Sequence, residues 1–258
     1  FRGLRDAEAM EYAQLGRNLA YRGRLVTQCV RPASMWYLIQ NSPLHNPVIN
    51  EHPDILHAPL WPTVLGAAFK ISRIPFPTDR MGGVFPPEQW VIIPICHLLT
   101  LLTGLLILLL GRRLFDPRIG LLSMTVFFLS NSVWNESISG LATPLVTFLC
   151  TLAFYLAAIA VTNREADKPR SAWLLPLIGA TLVCIFAFLS RYAAIVVTPA
   201  LALYIGISFR KNRGWVWALG LILAVLIGIS PWLVRNVKVS GGLLGLAPYT
   251  ALNNTRTF

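Results

Sequence analysis

Three carboxylates crowd the start of the chain: Asp6, Glu8 and Glu11 in "DAEAMEYAQLGRNLAYRGRL". Acids at this spacing suit two roles. In one they are helix-start charges, with Asp6 as a cap and the glutamates favoured by the N-terminal dipole. In the other, one of them is a general base that takes a proton from a substrate hydroxyl. A second group lies in "HPDILHAPLWP", where His52 and His57 flank Asp54. The five-residue separation of the histidines and the prolines at 53 and 59 do not give the i, i+4 helical arrangement of a metal site. A proline-stiffened loop that points His57 at a phosphate is the expected use. Two arginines complete the set: Arg191 in "FLSRYAA" and Arg235 in "SPWLVRN", after Pro231. Each suits either snorkelling to a membrane interface or holding a lipid phosphate. Glu136, in "NSVWNESISG", is a reserve carboxylate.

The elements that position these groups are those of a membrane protein. Of the 258 residues, 55% are hydrophobic and 13% charged, against about a quarter charged in soluble domains. The net charge of +11 is scattered between apolar runs, so it points to lipid phosphates and excludes a nucleic-acid face. The four cysteines, Cys29, Cys96, Cys150 and Cys184, form no CxxC or Cys/His spacing, and they are expected to be packing residues. No cofactor is expected, and a divalent metal has no convincing ligand set. The chain starts at Phe1 and ends in "TALNNTRTF", which reads as a fragment lacking an initial span.

Six apolar runs predict spans, at 91–110, 119–133, 140–161, 172–190, 192–209 and 216–234. One set of connecting loops holds nine basic residues: Arg112, Arg113, Arg118, Arg164, Lys168, Arg170, Arg210, Lys211 and Arg213. The alternate loops hold only Arg191. The positive-inside rule then puts the nine in the cytoplasm and leaves residues 1–90, Glu136, Arg191 and "RNVKVSGG" outside. The expected organisation is an extracytoplasmic loop (1–90), a six-span bundle (91–235) and the start of a further outer segment (236–258). Within 1–90, prolines forbid a long central helix. Two shorter ones fit. The first runs from Ala7 to Tyr21, with a stripe of Met10, Ala13, Leu15, Leu19 and Ala20 and with Gly23 as its stop. The second is "APLWPTVLGAAFKIS", laid in the membrane interface with Trp61 as an anchor.

"EAMEYAQLGRNLA", "HAPLWPTVLGAAF", "SGLATPLVTFLCTLAFYLA", "FAFLSRYAAIVVTPAL" and "ISPWLVRNVKVSGG" occur in this order. That order resembles the GT-C glycosyltransferases, closest to the family 39 branch of protein O-mannosyltransferases and the bacterial aminoarabinose transferase of lipid A. The resemblance implies an all-α integral membrane protein: a polytopic helix bundle whose large extracytoplasmic first loop carries short juxtamembrane helices. It implies a bacterial inner-membrane enzyme moving sugar from a polyprenyl-phosphate donor to a protein, lipid or glycan hydroxyl. The family's first outer loop carries an acid four positions before a tyrosine. Tyr12 matches the tyrosine and Glu8 the acid, which makes Glu8 the expected base. His57 in "HAPL" matches the basic residue before Pro-Pro-Leu, and Arg191 and Arg235 are phosphate-side candidates by location. The chain departs from the pattern at Glu8 (usually Asp), Ala9 (usually acidic), Ala58 (usually Pro) and Thr143 (acidic in many relatives). Asp6 is therefore a rival base. A transporter and a non-catalytic lipid-binding scaffold are the alternatives, although His97 is the sole ionisable side chain deep in a span and no repeats support transport.

Overall fold

A computed structural model describes residues 4, 6–29, 31–41, 52–76, 86–209 and 213–249. Ten α-helices dominate it. The N-terminal part holds α1 (Ala7–Arg22), α2 (Pro32–Asn41) and α3 (Leu60–Ser72), with a two-residue antiparallel pair, β1 (Val26–Thr27) on β2 (His52–Pro53). The bundle is α4 (Ile93–Leu114), α5 (Pro117–Leu129), α6 (Asn131–Ser137), α7 (Thr143–Glu165), α8 (Arg170–Ser190), α9 (Val197–Ser208) and α10 (Gly214–Ser240). A π-helical turn at Glu88–Ile92 leads into α4, and a 3-10 turn at Tyr192–Val196 leads into α9.

Among the described residues four helices are long and apolar enough to cross a membrane: Glu88–Leu114, Thr143–Glu165, Arg170–Ser190 and Gly214–Ser240. Two of the six apolar runs form shorter helices, Pro117–Leu129 and Tyr192–Ser208. The first of these, 13 residues long, reaches only about 20 Å at 1.5 Å per residue, against a hydrocarbon core about 30 Å thick. Its chain turns at Ser130 into α6. The protein is an all-α polytopic membrane protein.

The two ends of the bundle differ. At one, Arg113 donates to Thr162 and Asn163, and the Arg164 guanidinium lies over Trp173, Phe209 and Trp217. These contacts tie the end of α4 to that of α7, and the end of α7 to α8, α9 and α10. At the other end sit α1 to α3. Helices α1 and α3 share one continuous core with the bundle, in which Leu4, Tyr12, Trp61 and Phe69 pack with Ile92, Leu145 and Phe188, while α2 packs through Leu38 in a separate cluster with Ile55 and Leu246.

The expected stripe of α1 is only partly the buried one. Ala13 and Leu15 are inside, but so are Ala9, Glu11, Tyr12, Gly16 and Asn18, while Met10 is exposed. The reason is α3: a Cβ on Gly16 would stand 2.9 Å from Leu65 Cβ, so the helices approach along a glycine face that periodicity of large apolar residues misses. Trp61 also departs from expectation. It is 0% exposed, and its indole N–H donates to the Gly140 carbonyl at 3.1 Å, so it is a core residue and not an interfacial anchor. Gly140 has φ +77°, where a side chain would be strained and would meet Leu4 at 2.7 Å. The helix α2 was not expected; its Pro32 opens it at the first position, where no N–H is needed. The last helix runs through Pro231 to Ser240, which brings Arg235 and Asn236 onto a rigid element.

Candidate active site

The start of α1 is set by Asp6. Its backbone is extended and its side chain accepts from the Glu8 N–H at 2.9 Å, a cap worth about 1 kcal/mol. Gly23, at φ +66°, closes the helix. Between these ends Glu8 and Tyr12 lie one turn apart on one face, and the Tyr12 hydroxyl donates to Glu8 Oε1 at 3.0 Å. Asp6 is exposed, whereas Glu8 is half-buried. Burial first, then the charge of Glu8 and the hydrogen bond to it, push the Tyr12 hydroxyl above its ordinary value, while Arg191 pulls the other way. Tyr12 is thereby a donor and Glu8 an acceptor.

Behind Tyr12 lies a buried charge network. His57 is 6% exposed and meets the Tyr12 ring edge-on, with centroids 4.7 Å apart. Its Nδ1 is 3.1 Å from Asp54 Oδ1, and its Nε2 is 3.4 Å from Glu11 Oε2. The second contact has ion-pair distance without hydrogen-bond alignment. Glu11 is also gripped by Arg31, whose Nε donates to Oε1 at 2.7 Å and whose second nitrogen donates to Oε2. Glu11 and Arg31 are 7% and 5% exposed. Asp54 further accepts from the backbone N–H groups of His57 and Leu56. Burial alone would push the imidazole down, but the charge of Asp54, its hydrogen bond and then Glu11 outweigh it, so the His57 pKa stands above its ordinary value. Burial would raise the Asp54 carboxyl, and His57 together with the two backbone donors outweighs that, so Asp54 is held low.

The bundle completes the site. Arg235 Nη1 donates to the Asp54 carbonyl at 2.8 Å and to Asn236 at 3.1 Å. The Tyr192 hydroxyl donates to the His57 carbonyl at 3.3 Å and accepts from the Trp232 indole at 2.9 Å. Arg191 is exposed where α8 ends and the chain turns extended; its charge acts on Tyr12 from the bundle side.

Glu8, Tyr12 and His57 are thus brought together, with the exposed Arg191 acting on Tyr12 through its charge alone and Arg235 fastened to the loop that carries His57. Asp6 belongs to the same helix start but is engaged in capping. Both ring nitrogens of His57 face carboxylates, so a phosphate would have to displace one of them. Glu136 lies apart on α6, with Oε2 buried and no hydrogen-bond partner among the described residues. Among those residues no three His, Cys, Asp or Glu side chains converge as metal ligands. Sequence reasoning missed Arg31, Tyr192 and Asn236; it weighed Glu11 with Asp6 and Glu8 as a possible base, not as a partner of His57, and treated Asp54 only as a neighbour of the histidines. A 20-residue separation such as that of Glu11 and Arg31 has no periodic signature. Arg31 just before the helix-opening Pro32 was the one local hint.

Fold and site together define a polytopic helical membrane protein with an acid–base cluster docked across one end of its bundle. Residues 82–234 match the model of the family described as dolichyl-phosphate-mannose-protein mannosyltransferase. That stretch is more than half of the chain, and the chain belongs to this family of membrane glycosyltransferases. No curated protein and no solved structure matches it. The matched stretch contains Arg191 and most of the bundle, and it begins after the segment that carries Asp6, Glu8, Tyr12 and His57.

Proposed function

We propose that this glycosyltransferase takes its sugar from a polyprenyl-phosphate donor and passes it to an acceptor hydroxyl at the extracytoplasmic face of a bacterial inner membrane. The family description, with its dolichyl-phosphate mannose, supports a lipid-phosphate donor. The basic residues support the side: Arg112, Arg113, Arg164 and Arg170 lie at the bundle end opposite α1 to α3, as expected of cytoplasmic loops.

Glu8 is the general base. It accepts the proton of the acceptor hydroxyl as the oxygen attacks the anomeric carbon, and the lipid phosphate leaves with the bonding pair. Such a leaving group needs its charge stabilised more than it needs a proton. Arg191, exposed on the bundle side of Tyr12, is the expected phosphate partner, with Arg235 adding positive charge behind the His57 loop. The acceptor is a protein, lipid or glycan hydroxyl.

The observation that carries this reading is the half-buried Glu8 carboxylate, oriented by Tyr12 across from an exposed arginine. Transfer of labelled sugar from a mixed pool of polyprenyl-phosphate donors in membranes tests it. Glu8→Gln should lower transfer by about a hundredfold or more, within the range for removal of a general base, at unchanged membrane abundance. Asp6→Asn should retain most activity. Loss in Asp6→Asn with survival of Glu8→Gln would move the base by two residues. Absence of transfer by the wild type with every donor would favour the non-catalytic scaffold.

A further inference from the structure

The network around His57 holds more charge than transfer chemistry at Glu8 needs. Two carboxylates, an arginine and an imidazole are buried together, an arrangement that is costly unless each charge is paired. Carboxylates only accept hydrogen bonds when ionised. A ring with Asp54 on one nitrogen and Glu11 opposite the other is therefore satisfied only when both nitrogens carry hydrogen. In that state Asp54, Glu11, Arg31 and His57 sum to zero. Loss of one proton from His57 would leave a buried net negative charge against the Tyr12 ring, one turn from Glu8.

We propose that Glu11 and Asp54 are positioning residues for the transfer reaction: Asp54 holds the His57 ring by a hydrogen bond at Nδ1 and Glu11 by its charge opposite Nε2, and the ring in turn braces Tyr12 and the Glu8 carboxylate bonded to it. Every neighbouring element presses on this ring. Glu11 and Tyr12 come from α1, Arg31 from the segment before α2, and Asp54 from the loop after β2, where His52 also stands. Tyr192 donates to the backbone carbonyl of His57, and Arg235 to that of Asp54. The His57 and Tyr12 ring centroids lie 4.7 Å apart, and the Tyr12 hydroxyl lies 3.0 Å from Glu8, so any movement of the ring is passed to Glu8 through one rigid side chain. His57 touches no reacting atom in this arrangement; it acts through Tyr12.

The catalytic consequence rests on the transfer reading above, whereas the state of the ring does not. The test uses the full chain in lipid nanodiscs with labelled histidine and tyrosine. At about pH 8, where an ordinary histidine is neutral, nitrogen NMR should find wild-type His57 doubly protonated, its signal assigned by its loss in His57→Gln. Asp54→Asn and Glu11→Gln should each neutralise the ring and shift the Tyr12 ring signals. In transfer assays the same variants should lower kcat by about ten- to a hundredfold, as misplacement of a reacting group does, with little change in donor KM. The alkaline limb of their pH profile should move to lower pH, which a merely destabilising change would not do. Glu11→Gln also strips Arg31 of its partner; Asp54→Asn leaves that pair intact and carries the test if Glu11→Gln does not fold. A neutral wild-type ring at that pH overturns the proposal, and so does a neutralised ring with unmoved Tyr12 signals or wild-type kcat. A wild type that transfers nothing overturns the transfer reading, while the His57 and Tyr12 signals still decide the network.

Discussion

Both ends of the bundle are fastened by arginines, but the partners differ. At the site end Arg31 meets the Glu11 carboxylate, and Arg31, Glu11, Asp54 and a protonated His57 together neutralise one another within a buried cluster. At the opposite end Arg113 bonds only neutral oxygens of Thr162 and Asn163, and Arg164 is sandwiched by aromatic rings. The first arrangement cancels charge internally, so that Glu8 and Arg191 dominate the local field. The second fastens helices through neutral oxygens and aromatic faces. The same residue type meets carboxylates at one end and neutral or aromatic groups at the other.

The sharpest break of this contrast is Arg31→Met. It leaves Glu11 buried without its cation and should destabilise the protein by about 3–5 kcal/mol, read as thermal unfolding of the purified protein in detergent. Next comes pH. The His57 pKa is raised from 6.5, so its contribution to stability is full below that value and is lost as pH rises through the raised folded value. The Asp54 pKa is lowered from 3.8, so its contribution is full above that value and is lost as pH falls through the depressed one. Stability should therefore form a plateau over mildly acidic to neutral pH, and Asp54→Asn together with His57→Gln should flatten both edges. A smaller effect is expected from Arg164→Met, about 1 kcal/mol from the cation–π contacts with Trp173 and Phe209 that it loses. A penalty equal to that of Arg31→Met would erase the distinction between the two ends. The least should come from Asp6→Ala, about 0.5–1 kcal/mol as a lost cap, with transfer falling far less than in Glu8→Gln.

The helices were legible because they are written in local patterns. Apolar runs near twenty residues marked the long spans, and Gly23 and the acids of the first turn marked α1. Glu8 and Tyr12 were singled out by the resemblance to the family's first outer loop, and they stand one turn apart on α1. What lay beyond the sequence was decided by packing. Gly16 turns α1 so that Glu11 and Asn18 face inward, and the Gly140 carbonyl draws the Trp61 indole into the core instead of leaving it at the lipid interface. The Glu11–Arg31 and Arg235–Asp54 contacts join segments whose separation carries no periodic signal. The two prolines at helices act differently: Pro32 opens α2, and Pro231 sits inside a helix that continues for another nine residues to Ser240.

The bond from Arg235 to the Asp54 carbonyl spans 181 positions, and that from Tyr192 to the His57 carbonyl spans 135. A ribosome delivering this chain into a membrane releases α1 and the His57 loop long before α10 exists. Until α10 is inserted, the loop bearing His57 and Asp54 has no Arg235 to hold it, and the entropy of closing so long a segment opposes an early dock. Helix α10 is thus the clasp of the candidate site, which closes only once that helix has been made.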